Sequence, residues 1–411
     1  MSSGVIREKW ADAVSFLLES RLALGLAPPL LLLLGAAGCR GKSAGPVPGP
    51  TVTGAATAAS SADSHRPKQA PKARQRALIP AGTLRSGSTP GDPGRIPELE
   101  AKNQEVELGP FGIDLLPYPN DPALPPLLGK TRDEARRLCA EQSARLCSEL
   151  EWEHACKGPK QDPYPSGVIW DPSCTAGAKA CASGFDVLGL GTVAGEWVSS
   201  ELTTDDKRRA LVRGAAKSAA ATEHRCAARH PTDAGTQSQD IGFRCCHGAP
   251  NAAVVSEPKA GATFAKAKLT AEELQRALAA DPAGKALAHD IKFFREPEGA
   301  NTVVARGPGD KKGFDFTVAP LLWNPAPGAE LLLVSARSGD STSFIAAFHV
   351  LPGNQYRLAS TFVLQGEPGP VALAYSPDIK PRVHFSTCWG CPGETGKALF
   401  RKPETVVIVQ P

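Results

Sequence analysis

The sequence predicts an α+β protein in which a loop-rich, disulfide-stapled domain is followed by a β-rich C-terminal domain. Eight of the eleven cysteines fall within residues 139–246, and two helix patterns with their own N-caps lie in the same stretch. After residue 282 the pattern changes to short apolar runs separated by turn residues, which is typical of strands. The 411 residues are enough for two modest domains together with non-globular segments.

Residues 1–38 have the pattern of a signal peptide rather than of a folded element. Basic residues precede an apolar run over residues 22–34, which is shorter than the roughly 20 residues of a membrane-spanning helix. Small residues then lead to Cys39, as in a bacterial lipobox. We therefore predict an exported lipoprotein that an acylated Cys39 anchors to a membrane of a bacterial cell envelope. The alternatives are an ordinary signal peptide and an uncleaved anchor.

Residues 39–104 are rich in Ala, Pro, Ser, Gly and Thr, and this composition predicts a disordered linker. Residues 40–95 contain nine Lys/Arg and two Asp/Glu, which more than accounts for the formal net charge of +4. The rest of the chain is therefore close to neutral. This charge pattern does not indicate a nucleic-acid-binding protein.

Three helices are predicted from their capping boxes. Thr131, Ser148 and Thr270 each precede a glutamate by three residues, which is the pattern that starts a helix. Helical spacing places Cys139 on the apolar face of the first helix and Cys156 on that of the second, which should stop at Gly158. Both cysteines are therefore predicted to point into the core.

Without Cys39, ten cysteines remain, which is compatible with five disulfides in an oxidising compartment. A zinc site is the main alternative, but the two closely spaced cysteine pairs that such a site uses are missing. Cys174 and Cys181 are near enough in sequence for a local disulfide. Cys388 and Cys391 form a C-x-x-C motif followed by turn residues, which favours a disulfide at a hairpin tip over a redox-active site.

A series of motifs within residues 131–247 resembles a known family. In chain order they are Arg145-Leu146-Cys147-Ser148-Glu149-Leu150-Glu151-Trp152-Glu153-His154-Ala155-Cys156, Gly195-Glu196-Trp197, Arg225-Cys226-Ala227-Ala228-Arg229 and Ile241-Gly242-Phe243-Arg244-Cys245-Cys246. Together they resemble the sulfatase-modifying-factor domain, the fold of the formylglycine-generating enzyme, which is similar to C-type-lectin-like scaffolds. We therefore expect such a domain over residues 105–248, a linker over 249–265 and a β-rich domain of no recognised family over 266–411.

The resemblance also implies disulfide pairings. In the family, the cysteine of the first helix pairs with the one that ends the Gly-Phe-Arg-Cys strand, here Cys139 with Cys245. The cysteine of the second helix pairs with the one in Arg-Cys-Ala-Ala-Arg, here Cys156 with Cys226. Cys246 then needs a different partner, because adjacent strand residues face opposite ways. Cys147 remains for it, although the sequence does not fix this pairing.

The resemblance further implies a copper site that this sequence does not match. Enzymes of the family hold copper(I) between two thiolates, which stand ten and five residues before the cysteine of Arg-Cys-Ala-Ala-Arg. Those positions are Ala216 and Ala221 here, and a methyl group cannot bind copper. We therefore expect that the copper site is lost.

A calcium site and an iron site of the family are also not matched. The calcium motif Gly-Asn-x-x-Glu-Trp is replaced by Gly191-Thr192-Val193-Ala194-Gly195-Glu196-Trp197, which removes an oxygen ligand. We expect Glu196 and Trp197 to serve packing. A related branch of the family binds iron with three histidines, but the histidines here lack a helix-borne motif and are expected to be structural; they are His154, His224, His230 and His247.

These observations lead to an expectation of function. We expect no enzymatic activity and no cofactor, and instead a binding or scaffold module for a protein, peptide or glycan ligand. Trp197 and Arg229 are the candidate ligand-binding residues. The first alternative is an active cysteine-oxidising or iron enzyme, which would have to work without thiolates at positions 216 and 221. The second is a thiol–disulfide oxidoreductase that uses Cys388 and Cys391.

Overall fold

A computed structural model describes residues 69–204, 207–256, 263–299, 303–304, 314–366, 369–376, 382–387, 389 and 395–410. The predicted signal peptide, the acylation site at Cys39 and the Cys388–Cys391 disulfide lie outside these residues. None of the helices in the described part of the chain has the length and apolar composition of a membrane-spanning segment.

The three α-helices of the described chain all begin at capping boxes. They are α1 (Arg132–Glu141), α2 (Glu149–Lys157) and α3 (Ala271–Ala279). In each, the side chain of the N-cap Thr or Ser accepts the backbone N–H of the glutamate three residues on, and that glutamate accepts the N-cap N–H in return. α2 ends at Gly158, whose φ of 65° suits a glycine. The sequence predictions of these helices are confirmed.

The first ten strands surround α1 and α2. They are β1 (Arg76–Ile79), β2 (Gly82–Ser86), β3 (Gln104–Leu108), β4 (Phe111–Asp114), β5 (Arg145–Leu146), β6 (Gly195–Thr204), β7 (Lys207–Arg213), β8 (Arg229–Thr232), β9 (Ile241–Phe243) and β10 (Cys245–His247). β2 pairs with β3, and two four-stranded sheets have the orders β1-β4-β10-β5 and β8-β7-β6-β9. Trp152 of α2 lies at the centre of the core between these sheets, where it is 1% exposed.

Four disulfides staple this part of the chain. They join Cys139 to Cys245, Cys147 to Cys246, Cys156 to Cys226 and Cys174 to Cys181. The first and third pairings are those implied by the family resemblance, the fourth is the local disulfide expected from the short loop, and Cys147–Cys246 is the pairing that the sequence did not fix. All eight sulfurs are buried, so the bridges crosslink the interior rather than the surface.

The predicted linker over residues 39–104 is wrong for its part from residue 69 on. β1 pairs with β4 and β2 pairs with β3, so strands further along the chain bind this segment into the sheets. Leu84 of β2 is fully buried, and so is the charged Arg95. A composition poor in apolar residues suggested disorder, but backbone pairing and buried ion pairs with distant residues order the segment.

The remaining strands, together with α3, form a second region of the chain. They are β11 (Phe264–Lys266), β12 (Ile291–Phe293), β13 (Val303–Val304), β14 (Phe314–Thr317), β15 (Leu321–Trp323), β16 (Leu331–Ser338), β17 (Thr342–Leu351), β18 (Gln355–Gln365), β19 (Ala372–Tyr375), β20 (Arg382–Ser386), β21 (Gly396–Arg401) and β22 (Thr405–Val409). One sheet has the order β11-β15-β16-β17-β18, with β12 on β16, and the other the order β13-β14-β19-β20-β21-β22. The expected β-rich character is therefore observed. The expected 249–265 linker overlaps β11, which begins at Phe264.

Residues 87–103, which we call the strap, contact both regions. On one side, the guanidinium of Arg225 donates to both carboxylate oxygens of Glu100 at 2.7 and 2.8 Å. On the other side, Arg95 pairs with Glu404 at 2.6 Å and Asp92 with Arg357 at 2.9 Å. Burial alone would lower the pKa of Arg225, but the hydrogen bonds and charge of Glu100 raise it. The strap is therefore held to both regions by charge pairs, of which Glu100–Arg225 and Arg95–Glu404 are buried.

Candidate functional site

The turn before β6 is built around a buried carboxylate. The guanidinium of Arg244 donates to both oxygens of Glu196 at 2.6 and 2.7 Å, and Trp152 Nε1 donates to Glu196 Oε2 at 2.8 Å. All three side chains are at most 2% exposed. Because both carboxylate oxygens of Glu196 accept hydrogen bonds from protein groups, this side chain has a structural role and is not arranged to bind a cation. The nearby Thr192 Oγ1 is buried without a hydrogen bond, and one such oxygen is far short of the about six to eight that calcium takes.

The two predicted ligand-binding residues are not available to a ligand. Trp197 is 1% exposed and packs in the core around α1, where its Nε1 donates to the backbone oxygen of Lys130 at 2.8 Å. Arg229 is 5% exposed and donates to Glu149 at 2.9 Å and to the backbone oxygen of Leu99 at 2.6 Å. The prediction of an accessible site at these residues is therefore wrong. The sequence alone does not reveal whether an aromatic or cationic side chain of a motif is exposed or buried.

Ala216 and Ala221 lie in a turn that follows β7. Backbone N–H groups of Ala215 and Lys217 donate to the carbonyl oxygens of Gly191 and Val193, which ties this turn to the one before β6. Ala216 is half-buried, and Ala221 is exposed at the start of a short 3-10 helix over Ala221–His224. Within the described ranges every cysteine is in a disulfide, so no free thiolate lies near either alanine. These residues do not fit a two-thiolate copper(I) site.

Residues 119–249 match the family model of the sulfatase-modifying factor enzyme 1-like domain. This chain contains a sulfatase-modifying-factor domain. The match covers the two helices, the strands that carry the disulfides and the turns described above. No curated protein matches the chain.

Several solved structures are similar to part of the chain. PvdO from Pseudomonas aeruginosa is 16% identical over 42% of this chain and 93% of its own, with a TM-score of 0.37. Treponema denticola variable protein 1 is 14% identical over 42% and 94%, with a TM-score of 0.34. CarF is 13% identical over 42% and 97%, with a TM-score of 0.33.

The histidines of the sulfatase-modifying-factor domain lie apart. Burial lowers the pKa of His154 and of His230. His224 stacks on Trp170 with ring centroids 4.2 Å apart, while His247 Nε2 lies 2.9 Å from Asp114. Among the described residues, the one cluster with metal-ligand spacing is Asp171 with Cys174 and Cys181, and its two sulfurs bond each other. An iron site built from three histidines therefore has no counterpart in this part of the chain.

The second predicted chemical motif lies in the connection between β20 and β21. These strands pair antiparallel, with Phe385 opposite Gly396, and Thr395 N donates to the backbone oxygen of Phe385 at 2.9 Å. Cys388 and Cys391 fall between the paired ends and outside the described residues. The flanking structure is that of a β-hairpin, which agrees with the turn residues that follow the motif.

A polar cleft of about 260 Å³ opens between the strap, the end of α2 and the segment that begins at Arg225. Eight of its eleven lining residues are polar or charged. Lys157 lines the cleft from α2, and its Nζ donates to the backbone oxygens of Arg85 and Gly87 and pairs with Glu153 at 2.9 Å. This cleft was not predicted from the sequence, because one wall belongs to the segment expected to be a linker. In β2, Leu84 and Ser86 are buried and Arg85 is exposed, but the residues Leu-Arg-Ser do not show this alternation in sequence because serine is polar.

Proposed function

We propose that this chain is an exported, lipid-anchored binding protein whose sulfatase-modifying-factor domain is catalytically inactive. One observation carries the proposal. The eight cysteines of the domain are all in disulfides, and the two positions that would need thiolates are Ala216 and Ala221. Copper(I) prefers soft sulfur ligands, and alanine has no lone pair to offer.

The remaining features of the domain support a scaffold. Its motif residues are buried and paired with one another, as in the Glu196–Arg244 ion pair, so their charges are compensated without any ligand. A loop-rich domain crosslinked by disulfides can present surface loops in fixed positions. The ligand classes that we propose are a protein, a peptide or a glycan, and the chain has no charge pattern for nucleic acid.

Export and anchoring rest on two independent features. Four buried disulfides suit an oxidising compartment, since the cytosol keeps thiols reduced. Small residues before Cys39 resemble the acylation signal of lipoproteins, with Ala36 at the position where that signal usually has leucine. Incorporation of labelled palmitate into the native chain, and its loss in a Cys39→Ser variant, would test the anchor.

A turnover assay tests the loss of catalysis. The mature protein is loaded with copper(I) and offered a sulfatase-type cysteine peptide under oxygen, and formylglycine is read by mass spectrometry. We expect no more product than in a metal-free control. Formylglycine above that control would refute the proposal, because thiolates elsewhere in the chain would then have to supply the site.

A designed variant makes a negative result informative. Ala216→Cys together with Ala221→Cys restores the two thiolates in a turn that is at least partly exposed, so both side chains fit without disturbing the core. We expect this double variant to bind copper(I) more tightly than the native protein. Equal copper binding by the two proteins would contradict the idea that these alanines removed the site.

A further inference from the structure

The polar cleft beside the strap has the properties of a ligand site, and its charge indicates the class of ligand. Arg85 lies in its lining, on the exposed face of β2. Among the described residues, its guanidinium makes no hydrogen bond and no ion pair, and only its backbone is engaged. An unpaired arginine at a cleft suits the bidentate binding of a carboxylate.

Two further cations lie in the wall of the cleft. Lys157 and Arg225 are each 4% exposed, and each is paired with one carboxylate, Glu153 and Glu100 respectively. The remaining lining charge is Asp92, which pairs with Arg357. Each of these three lining charges is therefore compensated by a partner, and Arg85 alone is not. The cleft has a net attraction for an anionic group.

The neutral lining residues offer hydroxyl and amide groups. Asn103 Nδ2 donates to Thr89 Oγ1 at 2.7 Å, which leaves the Oδ1 of that amide as an acceptor and the hydroxyl of Thr89 as a donor. Both side chains are half-buried, so a ligand can reach them. A carboxylate-bearing amino-acid side chain would use only the arginine. A sugar acid would use both features, because its hydroxyls donate and accept while its carboxylate pairs with Arg85.

The size of the cleft limits the ligand further. Pockets for drug-sized molecules measure about 300–1,000 Å³, and this cleft of about 260 Å³ falls below that range. It therefore accommodates one small unit of a ligand rather than an extended chain.

We propose that the cleft formed by the strap, the end of α2 and Arg225 binds an acidic saccharide through one uronic-acid-type residue. Arg85 holds the carboxylate, and Thr89 and Asn103 hydrogen-bond the ring hydroxyls. This inference rests on the proposed function, since it specifies the ligand of the binding module.

Binding of three small probes to the mature full-length protein tests the proposal. D-glucuronate, D-glucose and acetate are titrated separately, and dissociation constants are measured by ligand-observed NMR. We expect glucuronate to bind at least about tenfold more tightly than the other two, because only glucuronate engages both the cation and the hydroxyl-binding groups. Glucose binding as tightly as glucuronate would overturn the role of Arg85. Acetate binding as tightly as glucuronate would overturn the proposal that the ligand is a saccharide.

Three variants locate the site. Arg85→Gln keeps an exposed polar side chain but removes the charge, and should weaken glucuronate binding to the level of glucose. Asn103→Asp places a negative charge beside Thr89, tolerates the φ of 46° at this residue, and should weaken binding of glucuronate more than that of glucose. Arg136→Gln makes the same charge change on the exposed face of α1, outside the cleft lining, and should have no effect.

The result distinguishes this proposal from the proposed function. If glucuronate does not bind saturably, or if Arg85→Gln binds it as well as the native protein does, the saccharide site is refuted. Neither outcome affects the copper and formylglycine measurements. Formylglycine production would overturn the inactive-scaffold proposal whatever the probes show.

Discussion

Replacement of Glu196 by glutamine should be strongly destabilising, because it leaves a buried arginine without its counter-charge. The Arg244 guanidinium bonds both Glu196 oxygens at 2.6 and 2.7 Å, and the two side chains are 1% and 2% exposed. Removing one partner of a buried pair costs about 3–5 kcal/mol. The amide oxygen can still accept from Trp152, but the amide NH₂ faces the second Arg244 donor, so the loss reports the charge pair together with one of its hydrogen bonds. We therefore expect Glu196→Gln to lower the free energy of unfolding by about 3–5 kcal/mol.

Glu201→Gln is the matched control on the same strand. Glu201 pairs with Arg132 and Arg208, but it is 32% exposed, and water screens these pairs. Exposed pairs contribute about 0–1 kcal/mol, and the urea unfolding midpoints of the two variants should separate accordingly. Equal midpoints would refute the assignment of Glu196 to a desolvated structural pair. Added calcium should leave the native midpoint unchanged, since the Glu196 oxygens are already bonded.

Three further predictions concern stability. Burial, with the neighbouring arginines, lowers the pKa of His349 from 6.5 to about 4, so the unfolded state takes up a proton before the folded state does. The free energy of unfolding should therefore fall by about 3 kcal/mol as the pH is lowered from 6.5 to 4, and His349→Gln should flatten this dependence in denaturation measured across that pH range. Gly191→Ala should lower the melting temperature, because a Cβ there would lie 2.9 Å from the Trp152 ring at a φ of 57°, whereas Gly177→Ala, with no atom within 4 Å, should not. Loss of the Cys139–Cys245 bridge should cost about 3 kcal/mol in urea unfolding rather than the roughly 5 expected for an isolated loop of this length, because the intact Cys147–Cys246 bridge leaves only about ten residues in the loop that it closes.

The features that could be read from the sequence depend on neighbouring residues. Thr131, Ser148 and Thr270 start their helices because the capping glutamate stands three positions away, and no distant contact is needed for that signal. The disulfide pairing is different. It connects residues up to 106 positions apart, and it was accessible through the family motifs rather than from the cysteine spacing itself.

The strap could not be predicted, because its order comes from partners far along the chain. Arg95 is fully buried among polar groups, and its carboxylate partner is Glu404, 309 residues away. A local composition of Pro, Gly and Ser carries no information about such a pair. The wrong prediction for Trp197 and Arg229 has the same cause. These residues have the chemistry of ligand-binding side chains, but their exposure is decided by the packed structure and not by the local sequence.

The geometry separates the motif residues that the fold depends on from the two positions at which the family has its copper thiolates. Arg225, Arg229 and Arg244 each bond a buried carboxylate, so changing any of them would leave an uncompensated charge in the core. Ala216 and Ala221 lie in a partly exposed turn whose position is fixed by backbone hydrogen bonds, so the turn does not depend on their side chains. The fold therefore depends on the motif residues, whereas the copper site depends on two positions that the fold does not need. Cysteines at 216 and 221 should therefore raise copper(I) affinity while leaving the free energy of unfolding in urea within about 0.5 kcal/mol of native.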